Sequence, residues 1–188
     1  MTSEKYVINL FGGPGTGKTT LATYLFSLLK EKGCSVEYSS EFAKELVYGE
    51  QWRSLEVQPY VFGTQICRLE LALKDVEIVV TDSPILLSLV YTPKRWQLPS
   101  FKRTIIDMFS LYNNINFLLK PLRCEAYSTT GRTQTYEESL SIQSKIRSSL
   151  LDNGFEFTQL TNQGLLENSR LIMEKLNEHK AFESRANK

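Results

Sequence analysis

The chain has 188 residues, of which 41% are hydrophobic and 23% charged, ordinary proportions for a globular protein with a sizeable core. A formal net charge of +1 excludes a global basic field, so any nucleic-acid contact would need a local patch. No run of about eighteen apolar residues offers a membrane span, and "MTSEKYVINLFGG" leads into a strand and does not have the pattern of a secretion signal.

The near-continuous apolar run "YVINLF" predicts a parallel strand buried on both faces. Leu21, Leu25, Leu28 and Leu29 then recur at helical spacing, and Gly33 closes that helix. "SVEYSS" predicts a short second strand, followed by helices over about 41–47 and 57–74. "VEIVVTD" is the third strand, the most β-branched in the chain. "FKRTIIDMFSLY" reads as a helix and "INFLLK" as a fourth strand. Thr135 and Glu138 form a capping box for a helix running through Leu151, and a last strand, "FEFTQL", precedes a C-terminal helix. Alternating strands and helices imply one α/β domain over residues 1–188, with a parallel sheet between two helical layers. Cys34, Cys67 and Cys124 stand singly, which argues against a disulfide framework and suits a reducing cytoplasm. His179, the one histidine, falls in the polar C-terminal segment and reads as a surface residue.

"GGPGTGKTT" carries the chemistry. Gly12, Gly17, Lys18 and Thr19 match G-x-x-x-x-G-K-[ST], the phosphate-binding P-loop. Glycines let backbone N–H groups converge on a phosphate while the following helix aims its positive end there. Lys18 would neutralise β/γ-phosphate charge and the Thr19 hydroxyl would ligate Mg²⁺. The third strand ends in "VVTDSP", which puts Asp82 at the carboxyl edge of the sheet beside that loop. There it would hold Mg²⁺ or orient a substrate hydroxyl; the structural alternative is an N-cap for a helix starting near Pro84. ATPases commonly carry a second carboxylate after that Asp to polarise water, whereas here Ser83 and Pro84 follow, which favours a kinase. No N-K-x-D tetrapeptide of a GTPase is present.

"SSEFAKEL" puts Glu41 at the same edge, placed to accept a proton from an acceptor hydroxyl, or else only to favour the first turn of a helix. Lys44 and Glu45 read as a solvated face. The polar stretch "KPLRCEAYSTTGRTQTY" holds Arg123 and Arg132, and is expected to form a lid over about 120–135 whose arginines stabilise the transferring phosphoryl group. Gln65 and Arg68 share a helix face suited to reading a base or holding a phosphate, or to a plain polar face; Tyr60 and Phe62 would add to a closed base pocket. "YTPKRWQLPSFKR" gathers Lys94, Arg95, Lys102 and Arg103 around Tyr91, Trp96 and Phe101, a pattern for nucleic-acid contact or for a solvated loop.

The P-loop, "SSEFAK", "TQICRLE", "VVTDSPILLSLVY" and "GRTQTYEES" together resemble small phage P-loop kinases related to nucleoside, thymidylate and nicotinamide riboside kinases. Within that group the resemblance is to the 5-hydroxymethyluracil DNA kinases. It spans about residues 8–151 and is specific for the group more than for the acceptor. It implies a P-loop three-layer sandwich with a five-stranded parallel sheet, and ATP with Mg²⁺ as cofactors. It also implies ATP binding by Gly12, Gly13, Pro14, Gly15, Thr16, Gly17, Lys18, Thr19 and Thr20, with Arg123. Lys18, Glu41, Asp82 and Arg132 would be catalytic, and Thr19 and Asp82 would bind metal. Gln65 and Arg68 would touch the acceptor; apart from the resemblance, Lys94, Arg95 and Trp96 of the basic–aromatic stretch would touch it if it is nucleic acid. Three functions stay open: phosphorylation of 5-hydroxymethyluracil in DNA, phosphorylation of a free nucleoside, nucleotide or small metabolite, and a P-loop ATPase or regulator that is not a kinase.

Overall fold

The computed structural model describes residues 4–121, 135–161 and 164–186. Five strands form a wholly parallel sheet: β1 (Tyr6–Phe11), β2 (Val36–Ser39), β3 (Ile78–Thr81), β4 (Asn113–Leu119) and β5 (Thr158–Leu160), in the spatial order β2-β3-β1-β4-β5. The order changes direction at β1, and loops leaving the carboxyl ends on either side of that point open a crevice.

Side-chain alternation along the strands assigns the helices to faces. Ile8 and Leu10 of β1, with Ile115 and Phe117 of β4, pack on α1 (Lys18–Glu31) and α8 (Leu165–Ala186) through Leu21, Leu25, Ile172 and Leu176. Val7, Phe11, Val79 and Leu118 face the other way. They meet α4 (Gln58–Leu73), α6 (Pro99–Phe109) and α7 (Tyr136–Asp152) through Phe62, Leu69, Ile105, Phe109, Ile146 and Leu150. Asn9 is the polar exception inside β1; its Nδ2 donates to Asn114 Oδ1 at 2.8 Å and to Asn116 Oδ1 at 3.1 Å, so its burial costs no unpaired donor. A satellite cluster of Phe42, Leu46 and Val61 seats α2 (Phe42–Tyr48) on α4 beside the sheet.

The expected three-layer α/β sandwich with a five-stranded parallel sheet is therefore the fold. The capping box is present, with Thr135 Oγ1 accepting from Glu138 N and Glu138 Oε2 accepting from Thr135 N. Gly33 ends α1 at a φ of 76°, in the left-handed region that glycine tolerates. Some details differ. A short helix, α3 (Trp52–Leu55), precedes α4, and the segment after Pro84 splits into a 3₁₀ turn (Ile85–Leu87) and α5 (Ser88–Tyr91). β5 starts at Thr158 and not at Phe155. Just before it, Asn116 Nδ2 donates to Glu156 O at 3.0 Å, so a side chain replaces the backbone ladder, while Phe155 packs edge-on to Phe109. Arg123 and Arg132, in the segment expected to form a lid, lie outside the described residues, as does Cys124.

Phe117 is fully buried between β4 and the α1–α8 layer. Phe117→Ala is expected to destabilise the fold by about 3–5 kcal/mol, read as a lowered urea midpoint; a loss below about 1 kcal/mol would contradict this packing.

Candidate active site

Three strand ends build the site. Asn9 of β1 and Ser39 of β2 both pair in register with Thr81 of β3, so β2 and β3 end at one level and β1 runs two residues further, to Phe11. The P-loop follows β1, Glu41 comes two residues after β2, and Asp82 comes one residue after β3. Because β3 lies between β2 and β1, Asp82 stands between Glu41 and the loop.

The loop turns into α1 at Gly17, whose φ of 85° is accessible to glycine without strain. Gly13 O accepts from Thr16 Oγ1 at 3.0 Å and from Thr16 N at 3.4 Å, closing the loop on itself. Lys18 Nζ curls over it and donates to Gly12 O at 2.8 Å and Gly13 O at 2.9 Å. Its ammonium is thus held at the loop, where a phosphate would meet it. Thr19 Oγ1 donates to Asp82 Oδ2 at 2.5 Å.

Asp82 is almost wholly buried, and its second oxygen, Oδ1, has no hydrogen-bond partner. The structure rules out the helix-capping role for this carboxylate. Pro84 is the residue preceding the 3₁₀ turn, no side chain caps it, and Ser83 N donates instead to Thr81 Oγ1 at 3.1 Å. A hydroxyl and a carboxylate side by side, one oxygen unused, fit a hard divalent cation such as Mg²⁺. Among the described residues no group of three or more His, Cys, Asp or Glu could hold a metal by itself. That also fits Mg²⁺, which keeps waters and takes phosphate oxygens as its remaining ligands.

Glu41 stands at the N-cap position of α2 in extended conformation (φ −70°, ψ 116°), yet its side chain makes no capping hydrogen bond. It faces a cleft of about 600 Å³ that it shares with Lys18, Thr19 and Asp82. Burial pushes its carboxyl above the usual value and the Asp82 charge adds to this, while Lys18 and Lys44 pull the other way. Tyr38, on β2 below Glu41, has its phenol pushed up, first by burial and then by the Asp82 and Glu41 carboxylates. Lys18, Glu41, Lys44 and Asp82 thus line one cleft, with the Tyr38 phenol close enough to feel both carboxylates.

The remaining expected contacts divide. Gln65 lines the cleft, but its amide also fastens the β2–α2 junction: Oε1 accepts from Phe42 N at 3.0 Å and Nε2 donates to Ser40 O at 3.1 Å. It thereby fixes the backbone on both sides of Glu41. Arg68 is held outside the cleft by a two-pronged pair with Glu45 at 2.7 and 2.5 Å, and it stacks over Phe42. Arg95 Nη2 and Trp96 Nε1 both donate to Glu56 O at 3.0 Å, so they brace the start of α4. Trp96 lines a second cleft, of about 740 Å³, bounded by α6 and α7, and Lys94 is exposed between the two. Tyr60 packs edge-on against Phe42, and Phe62 belongs to the core below the sheet. Sequence reasoning did not reach Gln58 and Ser88, a buried pair (Gln58 Nε2 to Ser88 Oγ, 3.2 Å) in the cleft wall. A lone Gln in an amphipathic helix gives no local sign of facing a site.

The chain belongs to the AAA domain family, whose profile matches residues 7–168. No curated protein matches it in sequence. Among solved structures it is similar to a thymidylate kinase from Ehrlichia chaffeensis, at 16% identity and a TM-score of 0.65 over 92% of this chain and 99% of that one. It is also similar to a deoxyadenosine kinase from M. mycoides with bound dATP, at 17% identity and a TM-score of 0.52 over 91% and 99% of the two chains. At such identities the likeness is one of fold.

The raised Glu41 carboxyl has a consequence for stability. A group whose folded value lies above the 4.5 of the free side chain contributes stability that is complete below 4.5 and is lost as pH rises through the folded value. Glu41→Gln removes that loss. Its melting temperature should therefore exceed that of the parent by more at pH 7.5 than at pH 4.5; an equal difference at both would show that Glu41 ionises without hindrance.

Proposed function

We propose that the protein is an ATP-dependent kinase acting on a hydroxyl of a nucleoside-type acceptor. The loop amides and Lys18 would bind the triphosphate, and Thr19 and Asp82 would hold Mg²⁺, which would offset phosphate charge. Glu41 accepts the proton as the acceptor oxygen bonds to the γ-phosphorus and the bond to the ADP oxygen breaks. Arg123 and Arg132 complete the proposal as lid arginines. The observation that carries it is Glu41: a carboxylate released from capping, raised in pKa, and facing the same cleft as Lys18 and Asp82. No carboxylate follows Asp82 in the chain to activate water, which separates this arrangement from a hydrolase.

A cleft wall of Val47, Leu55, Val61 and Leu87 with the Gln58–Ser88 pair suits a flat base with polar edges. The fold likeness to a thymidylate and a deoxyadenosine kinase supports the same acceptor class. The particular acceptor we propose is the 5-hydroxymethyl group of 5-hydroxymethyluracil in DNA, on the strength of the sequence resemblance. A base in a duplex would have to leave the stack to enter the cleft, and exposed Lys94 lies beside Pro93 at its edge. A free nucleoside or nucleotide is the second reading, which the two kinase folds favour.

The test offers γ-labelled ATP with Mg²⁺ to hydroxymethyluracil-containing DNA, to free nucleosides and nucleotides, and to water alone. Label in DNA alone is expected; label in free nucleosides supports the second reading, and phosphate released with no acceptor sinks both. Glu41→Gln should lower transfer by about 10²- to 10⁴-fold while ATP binding changes by less than about twofold. Full activity in that variant would reject Glu41 as the base.

A further inference from the structure

The P-loop pattern requires glycine at positions 12 and 17, and leaves position 13 free. Gly13 nonetheless has no room for a side chain: a Cβ there would stand 2.7 Å from Ser139 O and 3.2 Å from Ser139 Oγ. The neighbour is α7, more than a hundred residues away in sequence, and its contacts with the loop are polar and directional. Gln143 Oε1 accepts from Gly13 N at 2.6 Å, while Gln143 Nε2 donates to Leu119 O, the last carbonyl of β4, at 2.9 Å. One carboxamide therefore joins the loop to the adjacent strand end. One turn earlier, Ser139 Oγ donates to Pro14 O at 2.7 Å, and Ser139 is buried.

Gly13 is also the residue on which the inside of the loop converges, since its carbonyl accepts from Thr16 and from Lys18. Its two polar atoms thus point opposite ways, the N–H outward to Gln143 and the C=O inward to the groups that meet phosphate. Without Gln143, the Gly13 N–H would be buried and unpaired, a state that costs about 1–3 kcal/mol. The peptide would relieve this by rotating, and that rotation would carry the carbonyl away from Thr16 and Lys18.

We propose that Gln143 and Ser139 are positioning residues for the phosphate site. The Gln143 amide locks the Gly13 peptide, so the loop already has its phosphate-binding shape before nucleotide arrives. This rests on the nucleotide-binding half of the proposed function and is independent of the acceptor. Binding preorganised in this way avoids an ordering cost at the moment of association.

The experiment is calorimetric titration with Mg-ADP of the parent, Gln143→Leu, Gln143→Glu and Ser139→Ala, together with amide hydrogen exchange of each protein without ligand. Gln143→Leu puts an apolar side chain of similar bulk there and removes both hydrogen bonds; it is expected to weaken Mg-ADP about ten- to a hundredfold and to speed exchange at Gly13 and Thr16. Exchange in the centre of β1 should stay unchanged, a result that general destabilisation would not give. Gln143→Glu keeps the acceptor for Gly13 and loses the donor for Leu119, so its loss should be smaller than that of the leucine variant. Ser139→Ala should weaken binding by a few fold. Parent-like Mg-ADP affinity in Gln143→Leu, or exchange quickened across β1 as much as at Gly13, overturns the proposal. So does a parent protein that does not bind Mg-ADP. Absence of phosphoryl transfer with nucleotide affinity intact would reject only the kinase reading.

Discussion

The row of paired residues Asn9, Thr81 and Ser39 constrains everything built above it. A one-residue slip in either pairing would turn side chains to the opposite face of the sheet and shift one strand end by about 3.3 Å. Such a slip would separate Thr19 from Asp82, which are joined by a single 2.5 Å hydrogen bond. The register is specified because both faces of β1 and β3 are buried: Ile8 and Val80 belong to one helical layer, Val7 and Val79 to the other. Apolar patterning that appears to serve only the core therefore also sets the spacing of the chemistry. Gln65 extends the same control to β2, by hydrogen bonds on both sides of Glu41.

Much of this was legible from the chain alone, and the reasons are local. "YVINLF" can hardly be anything but a doubly buried parallel strand, and a P-loop declares itself by spacing. Asp82 and Glu41 were legible because carboxylates directly after apolar strands must emerge at the carboxyl edge. Less legible are the features decided by partners distant in sequence. β5 is short because Asn116 supplies the bond that a backbone ladder would have made. Arg68, Arg95 and Trp96 look like ligand contacts in the linear sequence, but they are engaged by Glu45 and by the Glu56 carbonyl. Nothing in the sequence around Gln143 points to Gly13, 130 positions earlier; the only trace was a glycine that the motif did not demand.

Charge within the cleft is finely opposed. The Glu41 and Asp82 carboxylates and the Lys18 and Lys44 ammonium groups line it together, and burial makes their mutual influence larger than it would be in water. Lys18 favours the ionised form of Glu41 while Asp82 disfavours it. Under the proposed reaction an incoming triphosphate would engage Lys18, and a cation at Thr19 and Asp82 would cancel the Asp82 charge. The basicity of Glu41 would then be set by the loaded site and not by the empty one.

The bond between Thr19 and Asp82 also bears on the sequence of events in binding. In the protein alone Thr19 Oγ1 donates to Asp82 Oδ2, so of this pair Asp82 Oδ1 is the atom left without a partner. Under the proposed reaction one hydroxyl and one carboxylate would offer a cation few ligands by themselves. Phosphate oxygens arriving with the ion would supply the missing ligands. On that reading metal and nucleotide would enter together, as a single complex.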